Sequence, residues 1–476
     1  MAVMLRRPIL VGGVGLSFAL WVLQSWHHSM IQLGEYGILG AIAVGGTLWL
    51  FQQKAPKIVA AQPVTKESVL QAIAQVQNVV ETLTVEAENY DTTQLREKIA
   101  QLQSELERQE LQVAIVGGKA VGKTTLLKVL AAAPGQISFQ ETPALFTGTD
   151  TELKIETTAL VAANAADLVL FVTNGDLTDP EFQTLQQFVA NRQRTLLVFN
   201  KQDQYAGDDR AVILQTLQQR MQALSSEDII AIAASPNAIK VRQHSPQGEV
   251  EEWFEQRTPD LQSLRDRLHQ IVSQEAQQLV WATTQRQALA LKAEAKAQLN
   301  AVRRDRSLPI IEQYQWIAAA AAFANPVPAL DLLATAAINA QLVVELSNIY
   351  QQKLSLQQAQ TVAGTMGSLM VKLGLVELST KAISTVLKSN AMTFVAGGAL
   401  QGVSAAYLTR LAGLSLVEYF QAQEVAGDAA TGLNLDKLSQ TLQQVFRQNQ
   451  QLPVLQRFVK QGIERLMPAP QLQSES

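Results

Sequence analysis

Residues 117 to 125 read Gly-Gly-Lys-Ala-Val-Gly-Lys-Thr-Thr, and Gly117 stands five positions ahead of Gly122-Lys123-Thr124, the spacing of a loop that wraps phosphate groups. Such a loop must turn successive backbone N–H groups toward phosphate oxygens, which is why it needs glycine at 117 and 122 and tolerates Gly118, Lys119, Ala120 and Val121 between them. Lys123 is placed to reach the β- and γ-phosphates as a point charge. The Thr124 hydroxyl is the expected ligand of Mg²⁺, and with Thr125 it opens a helix whose N-terminus adds the positive end of its dipole.

A second element follows at the end of an apolar run, Asn200-Lys201-Gln202-Asp203 in "RTLLVFNKQD". Here the sequence resembles the Era-like class of small GTPases with their Asn-Lys-x-Asp motif. The resemblance implies that Asp203 accepts two hydrogen bonds from the guanine edge, that the Lys201 stem covers the base, and that Asn200 ties this loop to the phosphate loop. Adenine lacks that donor pair, so the carboxylate would select GTP or GDP. Ala233-Ala234-Ser235 falls where the family has its Ser-Ala-x loop, which implies a contact from the Ala234 N–H to the guanine O6.

The family's Asp-x-x-Gly element, which holds Mg²⁺ through water and senses the γ-phosphate, has its best match in Glu141-Thr142-Pro143-Ala144. Glu141 remains a candidate metal ligand. Ala144 carries a Cβ where glycine would let the backbone approach a phosphate. Only 16 residues separate Thr125 from Glu141, too few for a helix, a first switch loop and its strand. The first switch is expected to be deleted, leaving Thr142, Thr147 and Thr149 as the candidates to close over the metal. No glutamine or histidine is placed to orient an attacking water, so slow hydrolysis or none is expected.

These loops need strands to hold them. "LQVAIVG" before the phosphate loop, "ISFQE", "ADLVLFVTNGD", "RTLLVF" and "EDIIAIAAS" supply apolar runs in the order of a three-layer, mostly parallel α/β fold. The chain has 476 residues and 47% hydrophobic content, enough for two to four domains. Its net charge of −4 argues against nucleic-acid binding, and the absence of cysteine excludes disulfides and thiol chemistry.

The uncharged runs at 8–26 and 36–51 read as a transmembrane hairpin over residues 1–53. Arg6, Arg7, Lys54 and Lys57 flank them while the intervening loop has no Lys or Arg, so both ends face the cytoplasm and an integral membrane location follows. Residues 54–110 read as a helical stalk: Val69, Ile73, Val76, Val80 and Leu83 lie at helical spacing, Asp91 is the expected cap of a second helix, and Leu95, Ile99, Leu102 and Leu106 form its seam. That seam is too short for an independent coiled coil and is expected to pack on the next domain.

Past the α/β segment at 111–257, a long connecting helix is expected over 258–307 and an all-α domain over 308–424. Asn325-Pro326-Val327-Pro328, Asp331 and the small-residue helices up to Phe420 resemble the helical domain of unknown function 697, often fused to P-loop GTPase domains. Residues 389–409 are uncharged and contain Gly398-x-x-x-Gly402, read as a buried bundle helix in preference to a third span. Amphipathic helices and a disordered tail complete 425–476.

Together these readings describe a membrane-anchored GTP-binding protein of Era-like type with degenerate switches and slow GTP hydrolysis. Its partners would be the bilayer, guanine nucleotide with Mg²⁺, and a protein engaged by the helical domain. The alternative is a nucleotide-stabilised membrane adaptor that neither switches nor turns over. A helical pore or membrane-remodelling protein would follow if the C-terminal helices span.

Overall fold

The computed structural model describes residues 64–131, 136–146, 150–244, 250–324, 328–389, 397–426 and 434–466. The expected hairpin at 1–53, Thr147, Thr149 and the tail beyond 466 lie outside them.

The chain enters as α1 (Lys66–Glu86) and α2 (Thr93–Glu105), followed by β1 (Leu111–Gly117), α3 (Lys123–Ala131), β2 (Ile137–Glu141), α4 (Asp150–Ala165), β3 (Leu168–Thr173), α5 (Asp179–Ala190), β4 (Arg194–Phe199), α6 (Gly207–Arg220) and β5 (Ile229–Ala231). The five strands form one sheet in the order β2-β1-β3-β4-β5, every neighbouring pair parallel. β3 is buried at all six positions and β4 at five of six, the continuous apolar run that a strand covered on both faces requires. Leu126 and Leu130 of α3 cover one face together with Leu264, Leu268 and Ile271 of α7 (Gln262–Gln274). Ala159 and Ala163 of α4, Leu185 and Phe188 of α5 and Leu217 of α6 cover the other. The result is a three-layer α/β domain.

Between β5 and α7 lies an antiparallel hairpin, β6 (Ile239–His244) and β7 (Val250–Glu255), a separate two-stranded sheet that the apolar pattern did not announce. Its residues carry mixed charge, and Phe254 stands 73% exposed.

The expected connecting helix at 258–307 is corrected in two respects. It breaks at Glu275, where α7 ends, and the second helix, α8 (Ala276–Ala324), runs 49 residues with Pro309 in its interior. Proline removes one helical N–H, but neighbouring positions are held: Ser307 and Ile311 are fully buried, and Ser307 Oγ donates to Arg303 O at 2.7 Å.

The expected cap of α2 is likewise corrected. Thr92 is the N-cap residue, while Asp91 Oδ1 accepts from Thr93 N–H at 2.9 Å, an Asx turn one position early. The stalk does not stand alone. Leu95, Ile99, Leu102 and Leu106 share a core with Val69, Ile73, Val76, Val80 and Leu83, closed by Ala288, Leu291, Ala295 and Leu299 of α8.

The C-terminal half adds α9 (Pro328–Ile349), α10 (Leu356–Lys372), α11 (Leu375–Ser389), α12 (Gly397–Ala426), α13 (Leu435–Asn449) and α14 (Leu452–Leu466), packed around one core with α8. Gly398 and Gly402 face that helix: a Cβ on Gly402 would lie 2.9 Å from Ala319 O, and one on Gly398 3.2 Å from Phe323 O. Small residues here serve close helix packing within the bundle. Among the described residues no single helix is long and apolar enough to cross a membrane; one pair, Leu356–Lys372 with Leu375–Leu387, passes that test together but is bent by 69°.

Candidate functional site

β1 delivers the chain to the phosphate loop at its C-terminal end. Gly117 has φ of +154°, and a side chain there would run into the Val172 carbonyl oxygen; Gly122 has φ of +98°, and a side chain would displace the Asn200 amide. Both glycines are therefore required by backbone shape and by crowding. Between them Ala120 holds φ of +61°, and Lys123 begins α3.

The Lys123 side chain turns back across the loop. Its ammonium donates to Gly117 O at 3.0 Å and Gly118 O at 2.7 Å and is 6% exposed. Burial lowers its pKa, and the charge of Glu141 opposes that shift. Thr124 Oγ1 donates to Glu141 Oε1 at 2.8 Å, so the two residues expected to share a metal do meet. They are oxygen donors on one carboxylate and one hydroxyl, a set that suits Mg²⁺, which keeps several waters and takes few protein ligands alongside phosphates. Among the described residues no group of three or more His, Asp or Glu is arranged to hold a metal by itself.

The loop after β2 is tied to the start of the phosphate loop. Leu145 N–H donates to Gly117 O at 3.1 Å, and Gly118 and Leu145 form an isolated parallel bridge. Thr142 is held to β1. It is buried, and both its N–H and its hydroxyl donate to Ile115 O, at 3.0 and 3.2 Å. α3 ends at Ala131 and β2 begins at Ile137, so the link between them is short and β2 pairs directly with β1. A cleft of about 670 Å³ opens between the two loops, lined from Lys119 through Thr125, by Glu141 to Ala144, and by Lys201. Among the described residues no histidine or glutamine lines it.

The second motif lies beside the first. Asn200 Nδ2 donates to Val121 O at 2.9 Å, and its Oδ1 accepts from Ala234 N–H at 3.0 Å, so one buried amide joins three loops. The Ala234 amide is thus already engaged, which corrects the expectation that it addresses the guanine O6. Lys201 adopts φ of +63°, and its ammonium donates to Ala120 O at 2.8 Å. Asp203 accepts from Asn237 N–H through Oδ2 at 3.0 Å, leaving Oδ1 and further lone pairs to receive donors. Gln202, the variable residue of the motif, is buried and donates to Asp260 Oδ2 at 2.9 Å. Asn237, Asp260 and Gln202 were not identified from the sequence, because each acts through a long-range backbone or side-chain bond that no local pattern encodes.

The opposite end of the strands, where the chain enters β1, β3 and β4, is also polar. Arg108 grips the fully buried Asp167 through two bonds of 2.7 and 2.9 Å, and Asp167 accepts from Gln112 N–H at 2.8 Å. Arg286 of α8 donates to Gln193 Oε1 at 2.6 Å and Ala166 O at 3.3 Å. The long helix is therefore bonded to the chain that enters β3 and β4.

Residues 286–451 match the family described as Domain of unknown function (DUF697). The match begins inside α8 and reaches α13, so the domain takes in more of the chain at both ends than the expected 308–424. No well-characterised protein matches the chain in sequence. Among solved structures, it is similar to a GTP-binding protein from the hyperthermophilic archaeon Sulfolobus solfataricus in complex with GDP, at 17% identity over 44% of this chain and 67% of that one, with a TM-score of 0.25. The bacterial dynamin GTPase LeoA from ETEC is 12% identical over 84% of this chain and 98% of its own, with a TM-score of 0.25. A member of an oligomerised bacterial dynamin pair, described as sensing and tethering membranes, is 13% identical over 88% and 81%, with a TM-score of 0.27.

Proposed function

We propose that this chain binds guanine nucleotide, GTP or GDP, with Mg²⁺ at Thr124 and Glu141, and hydrolyses GTP slowly. The observation that carries the reading is the double grip of Asn200 on Val121 O and Ala234 N–H. It ties the loop that carries Asp203 to the phosphate loop, and this supports the reading that the Asp203 carboxylate, with Oδ1 free to accept, receives the two donors of a guanine edge. The bound metal would supply charge neutralisation at the phosphates. Lys123 and the first amides of α3 supply the protein's share. The reading of slow chemistry is supported by the cleft lining, which among the described residues includes no histidine or glutamine to orient an attacking water.

The same observation favours a second reading, in which nucleotide stabilises a membrane adaptor that never switches. The two residue runs at 8–26 and 36–51 would anchor the protein with its nucleotide domain on the cytoplasmic side, and the helical domain would engage a protein partner. Binding and turnover of GTP, GDP and ATP, measured side by side, test the proposal. It expects GTP and GDP to bind, ATP to bind far more weakly, and phosphate release to be slow. A preference for ATP overturns the guanine reading, and measurable GDP binding with no GTP turnover selects the adaptor.

A further inference from the structure

Three ammonium groups border the cleft, and two of them are committed to the backbone. Lys123 bonds Gly117 O and Gly118 O, and Lys201 bonds Ala120 O. Lys119 is exposed and makes no hydrogen bond or ion pair among the described residues, although it lines the same cleft.

The position of Lys119 along the cleft follows from which loops touch its neighbours. The Asn200–Lys201 loop, the base end, bonds Ala120 O and Val121 O. The Thr142–Leu145 loop, at the other end, bonds Gly117 O and bridges Gly118. A triphosphate laid from the base end across the amides of the phosphate loop has its last phosphate nearest Glu141 to Ala144, beyond the reach of the Asn200 loop. Lys119 stands between Gly118, which bridges Leu145, and Ala120, whose carbonyl Lys201 bonds, and it lines the same cleft as Glu141 to Ala144. Ala144, which occupies the same end, has a Cβ that holds its backbone away from a phosphate. A flexible four-carbon ammonium is suited to bridge the distance that a backbone amide cannot.

We infer that Lys119 is the γ-phosphate-sensing residue of this site: its ammonium binds the terminal phosphate of a nucleoside triphosphate and so distinguishes GTP from GDP. The inference rests on the nucleotide reading given above. It makes the discrimination electrostatic and carried by one side chain of the phosphate loop, in place of a first switch. A charge-assisted hydrogen bond to phosphate that exists only with the triphosphate shifts relative affinity by about tenfold or more.

The experiment is calorimetric titration of the full-length protein with GDP and with a non-hydrolysable GTP analogue, in Mg²⁺, comparing wild type, Lys119→Ala and Lys119→Arg. The expected result is that Lys119→Ala lowers the ratio of analogue affinity to GDP affinity by about tenfold. Lys119→Arg should keep the ratio within about threefold of wild type, because it retains the charge. An unchanged ratio in Lys119→Ala overturns the inference, and so does an equal loss for both nucleotides, which would mark a general attraction for anions. If wild type binds neither ligand, the nucleotide reading itself falls and the inference with it; if wild type binds GDP and the ratio is insensitive to residue 119, only the inference fails.

Discussion

The guanidinium of Arg303 in α8 holds Glu86 at the end of α1 through two bonds, Nε to Oε2 at 2.9 Å and Nη2 to Oε1 at 2.7 Å. The arginine side chain is 2% exposed and the carboxylate 11%, and Gln351 donates to the same Oε1 at 2.8 Å. The pair thus fastens the entry helices to the spine where α9 ends. Glu86→Ala removes the bidentate partner of a buried cation and is expected to cost about 3 kcal/mol or more in unfolding free energy. Chemical denaturation checks it. A loss below about 1 kcal/mol, the range of exposed pairs, would show that Arg303 is adequately held by its other neighbours.

Lys123→Met separates binding from stability. The buried ammonium has a pKa pushed below its usual 10.5. Its charged form is therefore less favoured in the folded chain than in the unfolded one. Below the folded pKa, with the lysine protonated in both states, the charge carries a net cost; as pH rises from the folded pKa toward 10.5 that cost is relieved. The variant should lose GDP binding while its Tm, measured without nucleotide at neutral pH, stays level or rises. GDP binding of wild-type strength would refute the role of Lys123, and a large drop in Tm would make its carbonyl bonds structural.

Asp203→Asn exchanges a carboxylate for an amide that can donate. Guanine nucleotide should bind at least tenfold more weakly, and xanthine nucleotide, whose 2-oxo group accepts, should gain relative to it. Competition between GDP and XDP measures this directly. Retained guanine preference in the variant would remove Asp203 from base recognition.

Ala144→Gly lets the backbone beside Gly117 approach a terminal phosphate. Relative affinity for a GTP analogue over GDP should rise by about threefold to tenfold, the worth of one added amide hydrogen bond. Rapid GTP turnover by wild type, read as phosphate release, would count against the account of its degenerate switch.

Deleting residues 1–53 should release the protein from membranes. If the shortened chain resists carbonate extraction, anchoring belongs to helices further along, with Leu356–Lys372 and Leu375–Leu387 the first place to look.

The α/β domain was legible because its signals are local. β3 is buried at every position and β1 and β4 at all but one, so each carries a nearly continuous apolar run, and Gly117 and Gly122 of the phosphate loop stand where φ is positive. The Asn200 tie was legible only through resemblance, since no spacing rule relates residue 200 to residues 121 and 234. The expected helix end at 307 fell short of the true length of α8, which continues through Pro309 to Ala324 because Ser307 and Ile311 on either side of the proline are buried. The shift of the α2 cap from Asp91 to Thr92 has a similar cause: both side chains can close a first turn, and the choice depends on packing of α2 against α8. The β6–β7 hairpin escaped because its strands cover no core and need no apolar alternation.

The 49-residue length of α8 has a mechanical consequence. At 1.5 Å per residue, the stretch from Arg286 to Ala324 is about 57 Å long, so a tilt of about 5° at its base would carry the far end about 5 Å. That base is bonded to Gln193 and Ala166, at the threshold of β4, whose other end carries the Asn200 motif, and of β3, which pairs with the strand that ends in the phosphate loop. A shift too small to matter inside the sheet becomes, at the helical domain, a stroke comparable to one helical turn.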